Sequence, residues 1–220
     1  MQLLRALAVL SFLFSFTQLQ TGCAGKGVEG DNPEEMYKDA MDDLESERFQ
    51  AALEKLRTVK NKFPYSKYSV MAQLSIADLF FAQETFPEAA SSYELFRELH
   101  PKHEKAPYAL YRAGESYFLD IPGNRARDIS SAYKSLDAFN EFSGKYPSDP
   151  QAADARKRVK EVREIIAEKE FTIARFYQKR DKWDAAKSRF QKVVDLYPET
   201  QFAEKAKDRL RDIDDEQKPE

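Results

Sequence analysis

The fold is decided by the stretch Phe49-Gln50-Ala51-Ala52-Leu53-Glu54-Lys55-Leu56-Arg57-Thr58-Val59-Lys60-Asn61-Lys62-Phe63-Pro64, because its arrangement returns three more times. The prolines are Pro64, Pro101, Pro147 and Pro198, preceded by Phe63, His100, Tyr146 and Tyr197. Twelve residues before them stand Ala52, Ala89, Ser135 and Ala186. Eight before stand Leu56, Tyr93, Phe139 and Phe190, and five before stand Val59, Phe96, Phe142 and Val193. Phe49, Phe86 and Trp183 lie fifteen residues before three of them. Offsets of three and four put these side chains on one stripe of a helix. Proline, with no amide hydrogen and a ring that clashes with the preceding turn, ends that helix.

A second set lies further upstream. Ala40, Ala77 and Ala174 stand twenty-four residues before their prolines, where a small side chain lets two helices cross closely. In the third unit an insertion of nine residues puts Gly114 in the same place. The steps between prolines are 37, 46 and 51 residues. The loop-forming Ile121-Pro122-Gly123-Asn124 absorbs the nine extra residues of the second step. The third step is fourteen longer than the first, close to four turns, and neither Pro nor Gly occurs between Gln151 and Arg180. The spacing therefore predicts a long helix of about 30 residues within 148–180, with a break near Ala167 as the alternative.

These offsets resemble the tetratricopeptide repeat, a helix pair that stacks on its neighbours. The expected fold is an all-α solenoid with units at about 33–66, 67–103, 104–149 and 150–200, and a capping helix over 201–213. Residues 214–220 read as a disordered tail. The departures are a 37-residue period, Ser135 in an alanine position and Asp43 where the first helix usually has Tyr. A non-repeating bundle is the other reading, but four coincident sets of Pro, small and aromatic positions speak for repeats.

The chain has 220 residues, 42% hydrophobic and 33% charged, enough for a sizeable core. Its 35 basic and 38 acidic residues nearly cancel, which leaves no overall basic field for nucleic acid. Residues 1–22 have the form of a secretory signal, with Arg5 before an apolar run from Ala6 to Phe16 that is too short to span a bilayer permanently. Gln20-Thr21-Gly22-Cys23 resembles a lipobox, with Gln20 where an aliphatic residue is usual and Leu19 one place further out. Cys23 is thus the expected lipid attachment point, and acyl chains would anchor the mature chain. A free thiol after ordinary signal cleavage is the alternative. With one cysteine there is no disulfide framework. Residues 23–32 read as a flexible tether. Ala24 follows the cysteine in place of the Asp of inner-membrane retention signals, which favours the outer membrane.

Chemistry of the catalytic kind finds no candidate. His100 and His103 flank Pro101 in a turn, without the further ligands a zinc site needs. No phosphate loop, nucleophile elbow or metalloprotease helix occurs. The expectation is a binding protein with no catalytic residues, metal or cofactor. Repeat solenoids bind along the first helix of each pair, and the outward positions of the repeat pattern define a groove. Its residues include Tyr37 and Met41 in the first unit, Met71, Asp78 and Phe81 in the second, and Tyr108, Tyr111 and Phe118 in the third. The fourth unit contributes the more polar Glu168, Phe171, Arg175, Gln178 and Lys179. Aromatic and Met side chains suit an extended apolar peptide. Packing against a neighbouring repeat is the competing role for each.

The leader, followed in order by Phe63-Pro64-Tyr65-Ser66, His100-Pro101, Tyr146-Pro147-Ser148, Trp183-Asp184-Ala185-Ala186 and Tyr197-Pro198-Glu199-Thr200, resembles the BamD/ComL family of outer-membrane protein assembly lipoproteins. The resemblance implies a lipid-anchored scaffold of the β-barrel assembly machine, at the outer membrane and facing the periplasm. Its N-terminal repeats would receive targeting signals of unfolded outer-membrane protein precursors. Its C-terminal half would dock on a POTRA domain of BamA, beside other lipoproteins of the machine. Arg189, six residues after Trp183, occupies the position of a BamA contact in that family. A cell-envelope adaptor for peptidoglycan synthesis or division is the alternative function.

Overall fold

The computed structural model describes residues 32–216, among which there are nine α-helices and no strand. They are α1 (Pro33–Glu45), α2 (Phe49–Lys62), α3 (Lys67–Ala82), α4 (Phe86–Leu99), α5 (Ala106–Leu119), α6 (Ser130–Lys145), α7 (Ala152–Gln178), α8 (Trp183–Leu196) and α9 (Gln201–Glu216). Each packs chiefly on the helix before and after it, and α1 also meets α3 as α7 meets α9. This is the nearest-neighbour stacking of a tetratricopeptide-repeat solenoid. The expected signal segment, Cys23 and most of the expected tether lie outside the described residues.

Local chemistry starts and stops these helices. The Asn32 side chain accepts a hydrogen bond from the Glu34 amide at 2.9 Å, and Pro33 opens the first turn. Ser66 caps α3 in the same way through the Ser69 amide, at 3.1 Å. The turns inside the first, second and fourth pairs repeat one device. Glu47, Glu84 and Asp181, each seventeen residues before its proline, adopt φ of 57°, 57° and 55°. Just after each, the amides of Arg48, Thr85 and Lys182 bond back to Asp43, Phe80 and Tyr177 carbonyls, closing the preceding helix.

The residues at twelve, eight and five before each proline are buried in all four units. So are Ala40, Ala77, Gly114 and Ala174, the small residues of the first helices. The buried residues form four clusters, and successive clusters share helices. Leu53, Leu56, Val59, Ile76 and Leu79 fill the first, and Tyr93, Phe96, Ala109 and Ala113 the second. Leu110, Tyr111, Phe139, Phe142 and Ala155 fill the third, and Val162, Ile166, Phe171, Phe190 and Ile213 the last.

The departures from the repeat pattern have physical compensations. Ser135 donates its hydroxyl to the Gly114 carbonyl at 3.0 Å. Buried Asp43 receives Arg48 Nη2 at 2.6 Å and Lys55 Nζ at 2.7 Å, and these partners hold its carboxyl below the usual value. The insertion of the third unit is pinned to α7. Arg125 Nε lies 3.0 Å from Glu168, and Lys169 Nζ donates to the carbonyls of Ala126 and Arg127 at 3.2 and 2.7 Å. Ile129, at the end of the insertion, is buried in the core.

Two expectations about helix extent meet a definite outcome. The long helix α7 has 27 residues and runs unbroken through Ala167, which is buried. At the C-terminus α9 continues to Glu216, three residues past the expected cap, so 214–216 are not part of a disordered tail. Burial of Ile213 and a 2.7 Å pair between Lys187 and Asp214 hold that last turn.

Candidate functional site

The face expected to form the groove, here called the inner face, is that of α1, α3, α5 and α7, the first helices of the four pairs. At its N-terminal end the Tyr37 hydroxyl lies 2.9 Å from Ser75 Oγ, and its ring centroid is 5.9 Å from that of Tyr68. The Tyr37 and Met41 side chains are half-buried there, while Met71 is 40% exposed.

The centre of the face is a compact aromatic and polar cluster. Asp78 accepts hydrogen bonds from Tyr93 at 2.6 Å and Tyr108 at 2.7 Å, both on one oxygen. The Arg112 guanidinium lies 3.4 Å from the centroid of the Phe81 ring and donates to Glu115 at 2.7 Å. Its Nε reaches the Tyr93 hydroxyl at 3.4 Å. Three helices thus meet through one aspartate and one arginine, and Phe81 carries a cation on its face. Burial, then the Asp78 charge and hydrogen bond, push the Tyr108 phenol up to about 12 and Tyr93 higher still. Both stay protonated donors throughout the physiological range.

Neither Arg112 nor Tyr93 was expected at the groove. Tyr93 follows the core pattern of α4, and its ring is buried as that pattern requires, yet its hydroxyl emerges at Asp78. Arg112 stands four residues after Tyr108, hence on the same helical face, and that spacing was the available signal.

Of the remaining groove residues, Tyr111 is only 6% exposed and belongs to the core. Its ring lies 5.6 and 5.4 Å from Phe139 and Phe142, and its hydroxyl donates to Asp154 of α7. Phe118 is half-buried under the Arg158 guanidinium, 4.5 Å from its ring centroid. The structure therefore gathers Asp78, Phe81 and Tyr108 into one cluster, leaves Tyr37, Met41 and Met71 outside its contacts on the first two units, and removes Tyr111 from the open surface.

Arg189 lies on a separate surface, between α7 and α8. It donates to Glu170 at 2.7 Å, and Lys192 reaches the other oxygen of the same carboxylate at 2.7 Å. Burial of Glu170 raises its pKa, but the two cations outweigh it and hold the carboxyl below the usual value. Among the described residues no group of three or more His, Cys, Asp or Glu side chains is placed to hold a metal ion. No described helix is long and apolar enough to cross a membrane.

Residues 29–216 match the family YfiO, described as outer membrane lipoprotein. The outer membrane protein assembly factor BamD of Vibrio cholerae serotype O1 is 29% identical over 216 residues, which cover 93% of this chain and 87% of that protein. The protein of the same name from Neisseria meningitidis serogroup A is 29% identical over 182 residues, 79% of this chain and 68% of its own. A solved tetratricopeptide repeat protein from Parabacteroides merdae superposes with a TM-score of 0.44 at 15% identity, over 82% of this chain and 73% of its own.

Proposed function

The chain belongs to the YfiO family of outer membrane lipoproteins, and from that premise we propose that it is a non-catalytic scaffold of outer-membrane protein assembly. The observation that carries this reading is the family match over 29–216, to which the assembly factors named BamD add similarity along most of the chain. In this reading the protein is anchored through Cys23 to the outer membrane and faces the periplasm. Its first three units hold the apolar targeting segment of an unfolded barrel precursor. Its C-terminal half docks on a POTRA domain of BamA, with Arg189 at the contact.

The geometry of the inner face supports a peptide site. Met71 offers an exposed, adaptable apolar side chain on α3, and further along the face Phe81 and Tyr108 present rings already ordered by Arg112 and Asp78. Ordered rings lose little freedom when a partner packs on them. The chemistry of the cluster favours binding over catalysis, since its phenols keep their protons and one oxygen of Asp78 is taken by both of them.

Depletion in the cell tests the scaffold role. The expected result is a fall in folded β-barrel proteins, and co-purification of BamA with the lipidated chain. Intact barrels with altered division or wall shape would instead assign the chain to a cell-envelope adaptor role.

A further inference from the structure

A recess lies away from the aromatic cluster, between α7 and the C-terminal helix α9. It encloses about 800 Å³, within the ~300–1,000 Å³ typical of sites that take a sizeable ligand. Phe171, Phe176 and Phe202 give it apolar walls, and Arg175, Lys179 and Lys205 line it with positive charge. Phe176 is 52% exposed, a large apolar ring left open to solvent, with the Arg180 guanidinium 3.7 Å from its centroid.

The charges of this recess do not cancel. Each lining carboxylate is occupied by a cation: Glu168 by Arg125 at 3.0 Å, Asp212 by Arg209 at 3.3 Å, and Asp208 by Arg211. Arg125 and Arg211 are not among the residues that line it. Among the described residues Arg175, Lys179 and Lys205 have no carboxylate partner; Lys205 bonds only Gln201, at 2.9 Å, and lies 4.6 Å from the Phe202 ring centroid. In a chain whose net charge is −3, this is a local excess of positive charge beside open aromatic surface.

We propose that the recess between α7 and α9 binds an extended acidic segment of another protein that carries aromatic side chains. Carboxylates of that segment would face Arg175, Lys179 and Lys205, and its rings would pack on Phe171, Phe176 and Phe202. The recessed shape favours a chain over a membrane surface, because a flat bilayer does not enter a cleft between two helices. The rings favour it over a simple anion, which would leave the apolar walls uncovered. Glu168, Phe171, Arg175 and Lys179 are the fourth unit's share of the groove expected from the sequence, and the proposal rests on neither the assembly role nor the aromatic cluster around Asp78.

The test uses the full chain in mild detergent and a fluorescein-labelled peptide, Asp-Asp-Phe-Asp-Glu-Phe-Asp-Asp, read by anisotropy. Binding should weaken with salt, fall at least tenfold in the double variant Arg175→Glu with Lys179→Glu, and fall severalfold in Phe176→Ala. The altered positions are exposed, and melting curves of both variants should overlay the parent's; if the double variant melts early, Phe176→Ala carries the test alone. Equal binding by parent and Phe176→Ala overturns the proposal, as does equal binding of a control peptide with Gly in place of both Phe. Capture of phosphatidylglycerol vesicles without binding of the peptide would assign the charge to lipid and also overturn it. So would self-association of the chain that the charge reversals abolish.

Discussion

The hydroxyl of Ser135 donates to the carbonyl of Gly114 at 3.0 Å, joining the two small residues at which α5 and α6 cross. In the other units the position of Ser135 is alanine, which fits the crossing but bonds nothing. The carbonyl that receives the bond belongs to the residue on which the crossing depends. A Cβ at position 114 would meet Ala138 Cβ and the Phe139 ring at 3.2 Å.

Gly114→Ala should therefore destabilise the fold. Alanine improves helix propensity by about 1 kcal/mol, but overpacking of a tight crossing costs about 1–3 kcal/mol. The expected net loss is about 1 kcal/mol, read by urea denaturation. Ser135→Ala should cost less, about 0.5–1 kcal/mol, since it removes one neutral hydrogen bond and leaves the packing intact.

Phe81→Ala and Tyr111→Ala should separate binding from folding. Phe81 lies in the aromatic cluster of the inner face, so its truncation should weaken a barrel C-terminal peptide by a fraction of ~2 kcal/mol in a titration, with little change in melting. Tyr111 is in the core between Phe139 and Phe142, and its truncation should cost about 3 kcal/mol of stability. Unchanged peptide affinity in Phe81→Ala would move the peptide site elsewhere.

Acid should loosen the C-terminal half through Glu170. Its carboxyl is held below the usual value in the fold, because Lys192 and Arg189 outweigh the burial that opposes ionisation. The stability it contributes is complete above the ordinary glutamate pKa of about 4.3 and is lost as the pH falls through the lower, folded value. The two cations are about two-fifths exposed, so screening keeps this contribution to ~1 kcal/mol. The measurement is melting temperature from pH 6 to pH 3, where Glu170→Gln should show a shallower fall than the parent.

Glu84→Gly should stabilise the protein. At φ 57° a side chain crowds the neighbouring carbonyl, at a cost of about 1–2 kcal/mol that glycine avoids. Glycine's greater freedom in the unfolded chain takes back about 0.4–1 kcal/mol. The expected net gain is about 0.5 kcal/mol, a rise of roughly 1–2 °C in a domain of this size.

The repeat was legible because its marks are local. Residues three and four apart share a helical face whatever surrounds them, so the stripe Ala52, Leu56, Val59 could be placed in the core from spacing alone, and it is buried. The length of α7 was likewise written in an absence of Pro and Gly. The site was less legible because its partners come from far along the chain. Tyr108 and Tyr111 both fit the groove pattern, yet Tyr108 finds Asp78, thirty residues earlier, whereas Tyr111 finds Asp154, forty-three later. The insertion 120–129 reads as a loop, but its attachment to α7 depends on Arg125 meeting Glu168.

The unbroken helix α7 has a mechanical consequence. At 1.5 Å per residue its 27 residues make a rod about 40 Å long. Ala152 and Ala155 near one end are set among Phe139 and Phe142, and Ala174 near the other is set among Ala186 and Phe190. Tilting such a rod by about 5° displaces its far end by about 3.5 Å, more than half a helical turn. A continuous helix has no joint in which that displacement could be absorbed. Force applied where the third unit begins its stack therefore arrives at the C-terminal helices as leverage.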